Sequence, residues 1–139
     1  MKKFKFLLSF FILFVLVPAS YAGEVVVITN KMNSISQLSD KELSDLYLGR
    51  TKQINGNKVE LYELPINDEI RGQFFKQING MSLPQLNAYW ARLRFSGRIF
   101  PPIALENSTT VIDKVLTNKN AIGYIDSQFV NDSVKVIYK

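Results

Sequence analysis

The 139-residue sequence contains no histidine and no cysteine. It therefore lacks the commonest acid–base side chain, a thiol nucleophile and the usual ligands of zinc. No serine lies in a nucleophile-elbow pattern, and the adjacent acids Asp68 and Glu69 would point about 100° apart on a helix, which prevents them from acting as a facing acid/base pair. Asp113, Asp126 and Asp132 lack the spacing of a calcium loop. We therefore predict that the protein is not an enzyme and that it binds no metal or cofactor.

Apolar sequence is concentrated at the start of the chain. Three lysines among residues 1–5 precede the apolar run of residues 6–17, which Pro18 interrupts, and residues 20–22 (Ser-Tyr-Ala) place small side chains before Gly23. This three-part pattern is typical of a secretory signal peptide. The alternative, an uncleaved membrane anchor, needs about 18 or more apolar residues. We predict a cleaved signal peptide over residues 1–22, a single domain over residues 23–139, a periplasmic location and no membrane anchor after cleavage.

The part after residue 22 has little excess charge. Three of the 17 Lys and Arg residues and none of the 12 acidic residues precede Gly23, so the net charge falls from +5 to +2. Because a nucleic-acid surface needs clustered positive charge, we expect no nucleic-acid partner. Without cysteine, the fold must depend on packing alone.

The pattern of apolar residues predicts alternating strands and helices. We expect strands at residues 24–29, 59–64, 121–125 and 134–138, the first of them buried and central in the sheet. Capping signals predict four helices, which begin at a Ser39–Glu42 capping box, at Asn67, at Ser82, and at Ser108 or Thr109. Trp90 is expected to lie in the core. Strands interleaved with helices predict an α/β fold, a sheet with parallel pairs and helices on its faces.

Several segments together carry a family resemblance. Residues 43–50 (LSDLYLGR), 65–75 (PINDEIRGQFF), 85–90 (QLNAYW), 95–98 (FSGR, followed by Pro101 and Pro102) and 121–125 (AIGYI) occur in this order. The combination resembles the substrate-binding proteins of phosphate ABC transporters, including a compact exported form. The resemblance implies one three-layer lobe of a type 2 periplasmic binding protein, a mixed sheet with helices on both faces. A full binding protein has two such lobes, and this chain has the length for one.

Most of the candidate ligand residues lie at two predicted helix starts, where free amides and the helix dipole attract anions. They are Asn67, Asp68 and Glu69 with Arg71 one turn later, Ser108 and Thr109 at the other start, and Arg98 in the loop after Gly97. The resembled family has Ser, Thr and Gly at the first start, whereas this sequence has Asn67, Asp68 and Glu69. The alternative interpretation is that the two acids stabilise the helix dipole and that Arg71 pairs with a nearby carboxylate.

Two functions follow from these expectations. One is a non-enzymatic, phosphate-type binding domain that takes a small anion weakly. The other is an interaction module that has lost its ligand and docks on an envelope or sensor protein.

Overall fold

The computed structural model describes residues 15–18, 23–97 and 99–139. The predicted signal peptide lies mostly outside these residues, as does Arg98. Within the described ranges, no helix combines the length and the apolar character needed to cross a membrane.

A five-stranded mixed sheet forms the centre of the domain. Its strands are β1 (Val25–Asn30), β4 (Glu60–Glu63), β5 (Ile103–Ala104), β6 (Ala121–Asp126) and β7 (Val134–Tyr138), in the spatial order β5-β4-β6-β1-β7. Strand β4 pairs in parallel with β5 and β6, while β1 runs antiparallel to β6 and β7. The first strand is thus interior, as its near-continuous apolar sequence predicts. The middle position, however, belongs to β6, and the expectation that residues 24–29 form the central strand is wrong in that detail.

Helices cover both faces of this sheet. They are α1 (Asp40–Tyr47), α2 (Glu69–Asn79), α3 (Leu83–Ser96) and α4 (Ser108–Thr117). Neighbouring residues of β6 show the two sides: Tyr124 stacks on Phe74 of α2 at 4.2 Å, whereas a Cβ at Gly123 would lie 2.4 Å from Val111 of α4. Because successive side chains of a strand point to opposite faces, α4 packs on one face and α2 on the other. The predicted three-layer α/β architecture is confirmed.

Helix ends follow the sequence signals with two corrections. Ser39 and Ser82 are the N-caps of α1 and α3, each in a capping box, and Trp90 is buried as predicted. Asp68, not Asn67, caps α2, and Asn107, not Ser108 or Thr109, caps α4. In both cases the short Asx side chain nearest the first turn has the geometry to accept a backbone amide of that turn, which the sequence signal locates only to within a residue or two.

Two short pairings were not predicted. Strands β2 (Gln53–Ile54) and β3 (Asn57–Lys58) form a hairpin around a turn at Asn55 and Gly56. Strand β5 lies directly after Pro101 and Pro102, and it forms one edge of the sheet. A two-residue strand has no periodicity of its own, so only its pairing with β4 reveals it.

Candidate functional site

Two of the helices begin at one edge of the sheet. The parallel strands β4, β5 and β6 end there at Glu63, Ala104 and Asp126, and we call this the carboxyl edge. Leu105 N donates to Glu63 O at 2.8 Å, and Asp126 N donates to Ser108 Oγ at 3.1 Å, so the strand ends are tied to the start of α4. Open α/β sheets bind ligands at this kind of edge. The topology therefore brings the starts of α2 and α4 to the same edge.

The start of α2 is satisfied by its own residues. Asp68 Oδ1 accepts the amide of Ile70 at 2.8 Å, and the Asp68 amide donates to Pro65 O at 2.9 Å. Asn67 and Glu69 are exposed on either side of Asp68. Two of the four amides that a helix start leaves free are thus taken, and two carboxylates occupy the surface where an anion would approach.

Arg71 does not extend toward that surface. Its guanidinium is 3% exposed, with Nε 3.3 Å from Glu63 Oε2 and Nη1 donating to Ile66 O at 3.1 Å and to Asn87 Oδ1 at 3.2 Å. The guanidinium carbon also lies 5.5 Å from the centre of the Phe75 ring. The predicted pairing of Arg71 with a carboxylate is confirmed, and its positive charge is largely compensated inside the fold.

Glu63 is the buried partner in this ion pair. Burial raises the pKa of its carboxyl group above the ordinary value, while the charges of Arg71 and, more weakly, Arg94 oppose that rise. Desolvation therefore outweighs the attraction of the two arginines for the charged form. Burial and charge pairing therefore act on the pKa of this carboxyl group in opposite directions.

The start of α4 differs from that of α2. Asn107 Oδ1 accepts both the amide and the hydroxyl of Thr110, at 2.9 and 3.0 Å. Ser108 is buried, with its hydroxyl accepting from Asp126, whereas Thr109 is exposed. No acidic residue lies in the first turn of α4, so this start keeps the more favourable field for an anion.

A pocket between α2 and α3 was not predicted. It has a volume of about 330 Å³, and we call it the α2–α3 pocket. Its polar lining is Glu63, Arg71, Asn87, Trp90 and Arg94. Its apolar lining is Ile66, Ala91, Pro101 and Ala104. The sequence does predict a core tryptophan, and its indole N–H needs a hydrogen-bond partner. That partner could not be assigned without the packing of α3.

The indole N–H of Trp90 is buried, and it makes no hydrogen bond to any residue that the structure describes. Buried donors of this kind are rare in native proteins and cost about 1–3 kcal/mol when left unsatisfied.

Among the described residues, metal ligands are not gathered at the carboxyl edge or in the α2–α3 pocket. Over residues 15–18, 23–97 and 99–139, no three acidic side chains converge in a way that would hold a metal ion.

Solved structures with the same fold come from phosphate transport. The chain matches a protein from Clostridium perfringens, solved with bound phosphate and assigned as a phosphate ABC transporter substrate-binding protein, with a TM-score of 0.65 and 20% identity over 83% of the chain. It matches an ABC-type phosphate transport receptor from Vibrio cholerae with a TM-score of 0.64 and 17% identity, again over 83% of the chain. The chain therefore shares its α/β fold with part of each of these proteins. The chain spans 44% and 45% of the length of these two proteins.

At the level of sequence the comparison is negative. No protein-family model matches the chain, and no curated protein matches it. The similarity is therefore one of fold, and it assigns no ligand to this chain.

Proposed function

We propose that this chain is an exported, non-enzymatic binding-protein-like domain that takes phosphate or another small anion weakly at the carboxyl edge. The observation that carries the proposal is the match of 83% of the chain to a lobe of a protein solved with bound phosphate. Two helix starts at one edge support it, because free amides at such starts attract anions.

Three features of the edge set the affinity low. Asp68 caps α2 with its own carboxylate, Glu69 adds a second negative charge, and Arg71 is turned inward to Glu63. The chain also spans less than half of the length of these two phosphate-transport proteins. A two-lobed binder with micromolar affinity has about −8 kcal/mol to divide, so a single lobe that supplies half of it binds at about millimolar. We therefore propose a dissociation constant for phosphate of about 1 mM or weaker.

Calorimetry with inorganic phosphate tests this proposal. The informative variant combines Asp68→Ser, which keeps a capping oxygen, with Glu69→Gln, which removes only charge. It should bind phosphate more tightly than the wild type. The control, Asp113→Asn with Asp132→Asn, removes two exposed acids that lie away from the two helix starts and should change little. An equal gain in phosphate affinity in the control variant would mean that net charge alone causes the effect. No gain in either variant would show that the start of α2 is not part of an anion site.

A second candidate function is an interaction module that docks on an envelope or sensor protein. Its supporting observation is the edge strand β5, where Phe100 and Ile103 are 72% and 48% exposed. Exposed large apolar side chains beside an unpaired strand edge are typical of protein contacts. A photo-crosslinker at Phe100 should then capture one defined envelope protein, whereas one at exposed Lys41 should not. Phosphate binding far tighter than millimolar would contradict this candidate.

A further inference from the structure

We propose that cleavage of the bond between Ala22 and Gly23 during export creates an ion pair between the new α-ammonium group of Gly23 and the carboxylate of Asp126. In the uncleaved chain the same nitrogen is a peptide amide, which carries no charge. The pair would therefore belong to the processed protein alone. The inference rests on the export that is part of the proposed function, and it is independent of phosphate binding.

Gly23 packs directly against the carboxylate of Asp126. A Cβ built on Gly23 would lie 2.7 Å from the Asp126 carboxyl carbon, and its nearest neighbour would be Asp126 Oδ1. The Gly23 nitrogen is bonded to the same Cα, about 2.5 Å from that Cβ position, so it lies within about 5 Å of the carboxyl carbon. Rotation about the Cα–C bond of a first residue is free to bring the ammonium group closer. The absence of a side chain at this position is what lets the backbone approach the carboxylate.

The backbone next to Gly23 is held against the end of β6. Glu24 O accepts the amide of Ser127 at 2.8 Å, and Val25 pairs with Asp126 in the sheet. Chain termini are poorly ordered unless contacts tie them down. Here the tie begins one residue after Gly23, so a chain that starts at Gly23 keeps its ammonium group beside Asp126 at little additional cost in conformational entropy.

Asp126 has the capacity to accept from this group. Its Oδ1 accepts the Gln128 amide at 2.9 Å, and its Oδ2 lies 3.4 Å from Gln128 Nε2. An ionised carboxylate offers about four acceptor positions, so room remains for a further donor. Among the residues that the structure describes, no lysine or arginine side chain pairs with Asp126. The α-ammonium group would supply that positive charge and would compensate a negative charge at the carboxyl edge, where β6 ends.

The ionisation of Gly23 itself gives the most specific test. Protein released from a fusion so that Gly23 is its first residue is titrated with pH, and the Gly23 α-proton and α-carbon signals in ¹H–¹³C NMR give the protonation constant of its amine. Asp126→Asn should lower that constant about threefold, as expected for an ion pair near the surface. The control, Asp132→Asn, changes an exposed acid just before β7, near the far end of β1, and should leave the constant unchanged.

Stability provides a second readout. A chain that begins at Ala22 carries its ammonium group one residue further along, so it should unfold in urea with an equilibrium constant about threefold larger than that of the chain beginning at Gly23. In the Asp126→Asn background the two starts should unfold alike, because the partner of the ammonium group is gone. A purely structural effect of the added residue would persist in that background.

Three results would overturn the proposal. They are a protonation constant of the Gly23 amine that is equal in the wild type and in Asp126→Asn, a decrease in Asp132→Asn as large as in Asp126→Asn, and a difference between the two starts that survives Asp126→Asn. Mass spectrometry of the exported protein tests the cleavage separately, and a first residue other than Gly23 would also overturn it. Phosphate enters none of these measurements, so failure of the proposed ligand and failure of the ion pair are distinguishable.

Discussion

The backbone and the guanidinium of Arg71 lie in two regions of the protein that differ in their charge. The backbone of Arg71 lies in the first turn of α2, where Asp68 and Glu69 present negative charge at the carboxyl edge. Its guanidinium lines the α2–α3 pocket, where it pairs with Glu63 and donates to Ile66 O and Asn87 Oδ1. A helix start is attractive to anions only while its amides and nearby cations remain available. In this protein the guanidinium of Arg71 is instead paired with the buried carboxylate of Glu63.

The largest expected effect comes from breaking that pairing. Arg71→Met should lower the free energy of unfolding by about 3–5 kcal/mol, because Glu63 is left as a buried and unpaired charge. Combining Arg71→Met with Glu63→Gln removes both charges and should recover a large part of the loss. Urea unfolding of the two variants is the measurement, with Arg92→Met as an exposed control that should stay within about 0.5 kcal/mol of the wild type. A double variant as unstable as Arg71→Met would mean that packing, rather than the unpaired charge, causes the loss.

A smaller effect is expected at the start of α2. Asp68→Ala should cost about 1 kcal/mol of stability because the amide of Ile70 loses its acceptor, whereas Asp68→Ser should stay close to the wild type. Asn67→Ala serves as the matched control, since Asn67 is exposed and caps nothing. Thermal or urea unfolding gives the comparison. A greater loss for Asn67→Ala than for Asp68→Ala would contradict the cap that the structure assigns.

The smallest expected effect is a pH dependence that belongs to Glu63. Burial raises the pKa of this carboxyl group above its ordinary value of 4.5, so the folded protein holds the proton to a higher pH than the unfolded chain does. The stability gained in this way is present below the unfolded pKa and is lost as the pH rises through the folded pKa. The free energy of unfolding of the wild type, relative to that of Glu63→Gln, should therefore fall as the pH rises from about 4.5. Urea unfolding of both proteins at a series of pH values is the measurement. A difference in stability that grows with pH would mean that the attraction of Arg71 for the charged carboxylate outweighs the effect of burial on the pKa of Glu63.

The sequence predicts most of the fold because its signals are local. The capping boxes at Ser39 and Ser82, the apolar strand that becomes β1 and the burial of Trp90 all follow from patterns a few residues long, and the structure confirms them. The family resemblance correctly implied the α/β fold that the chain shares with the phosphate-transport proteins. The division into a signal peptide over residues 1–22 and a domain over residues 23–139 stays a prediction.

The site was harder to predict because it depends on contacts between distant elements. Arg71 could be assigned to an anion or to a carboxylate from the sequence, and only the position of Glu63 at the end of β4 shows the pair. The α2–α3 pocket requires α2, α3 and β5 together, and β5 is too short to be recognised before it pairs. Roles for Asn67, Asp68, Glu69, Ser108 and Thr109 as anion ligands stay predictions, and Arg98 lies outside the described residues.

The most direct test of the account follows individual N–H groups while ligand is added. Two-dimensional ¹H–¹⁵N NMR resolves the amides of Ile70 and Thr109 at the two helix starts, together with the indole N–H of the buried Trp90. Phosphate at about 1 mM should bring none of these signals near saturation. Saturation of the Ile70 amide by micromolar phosphate would contradict the central claim that Asp68, Glu69 and the Arg71–Glu63 pair leave the start of α2 with little attraction for an anion.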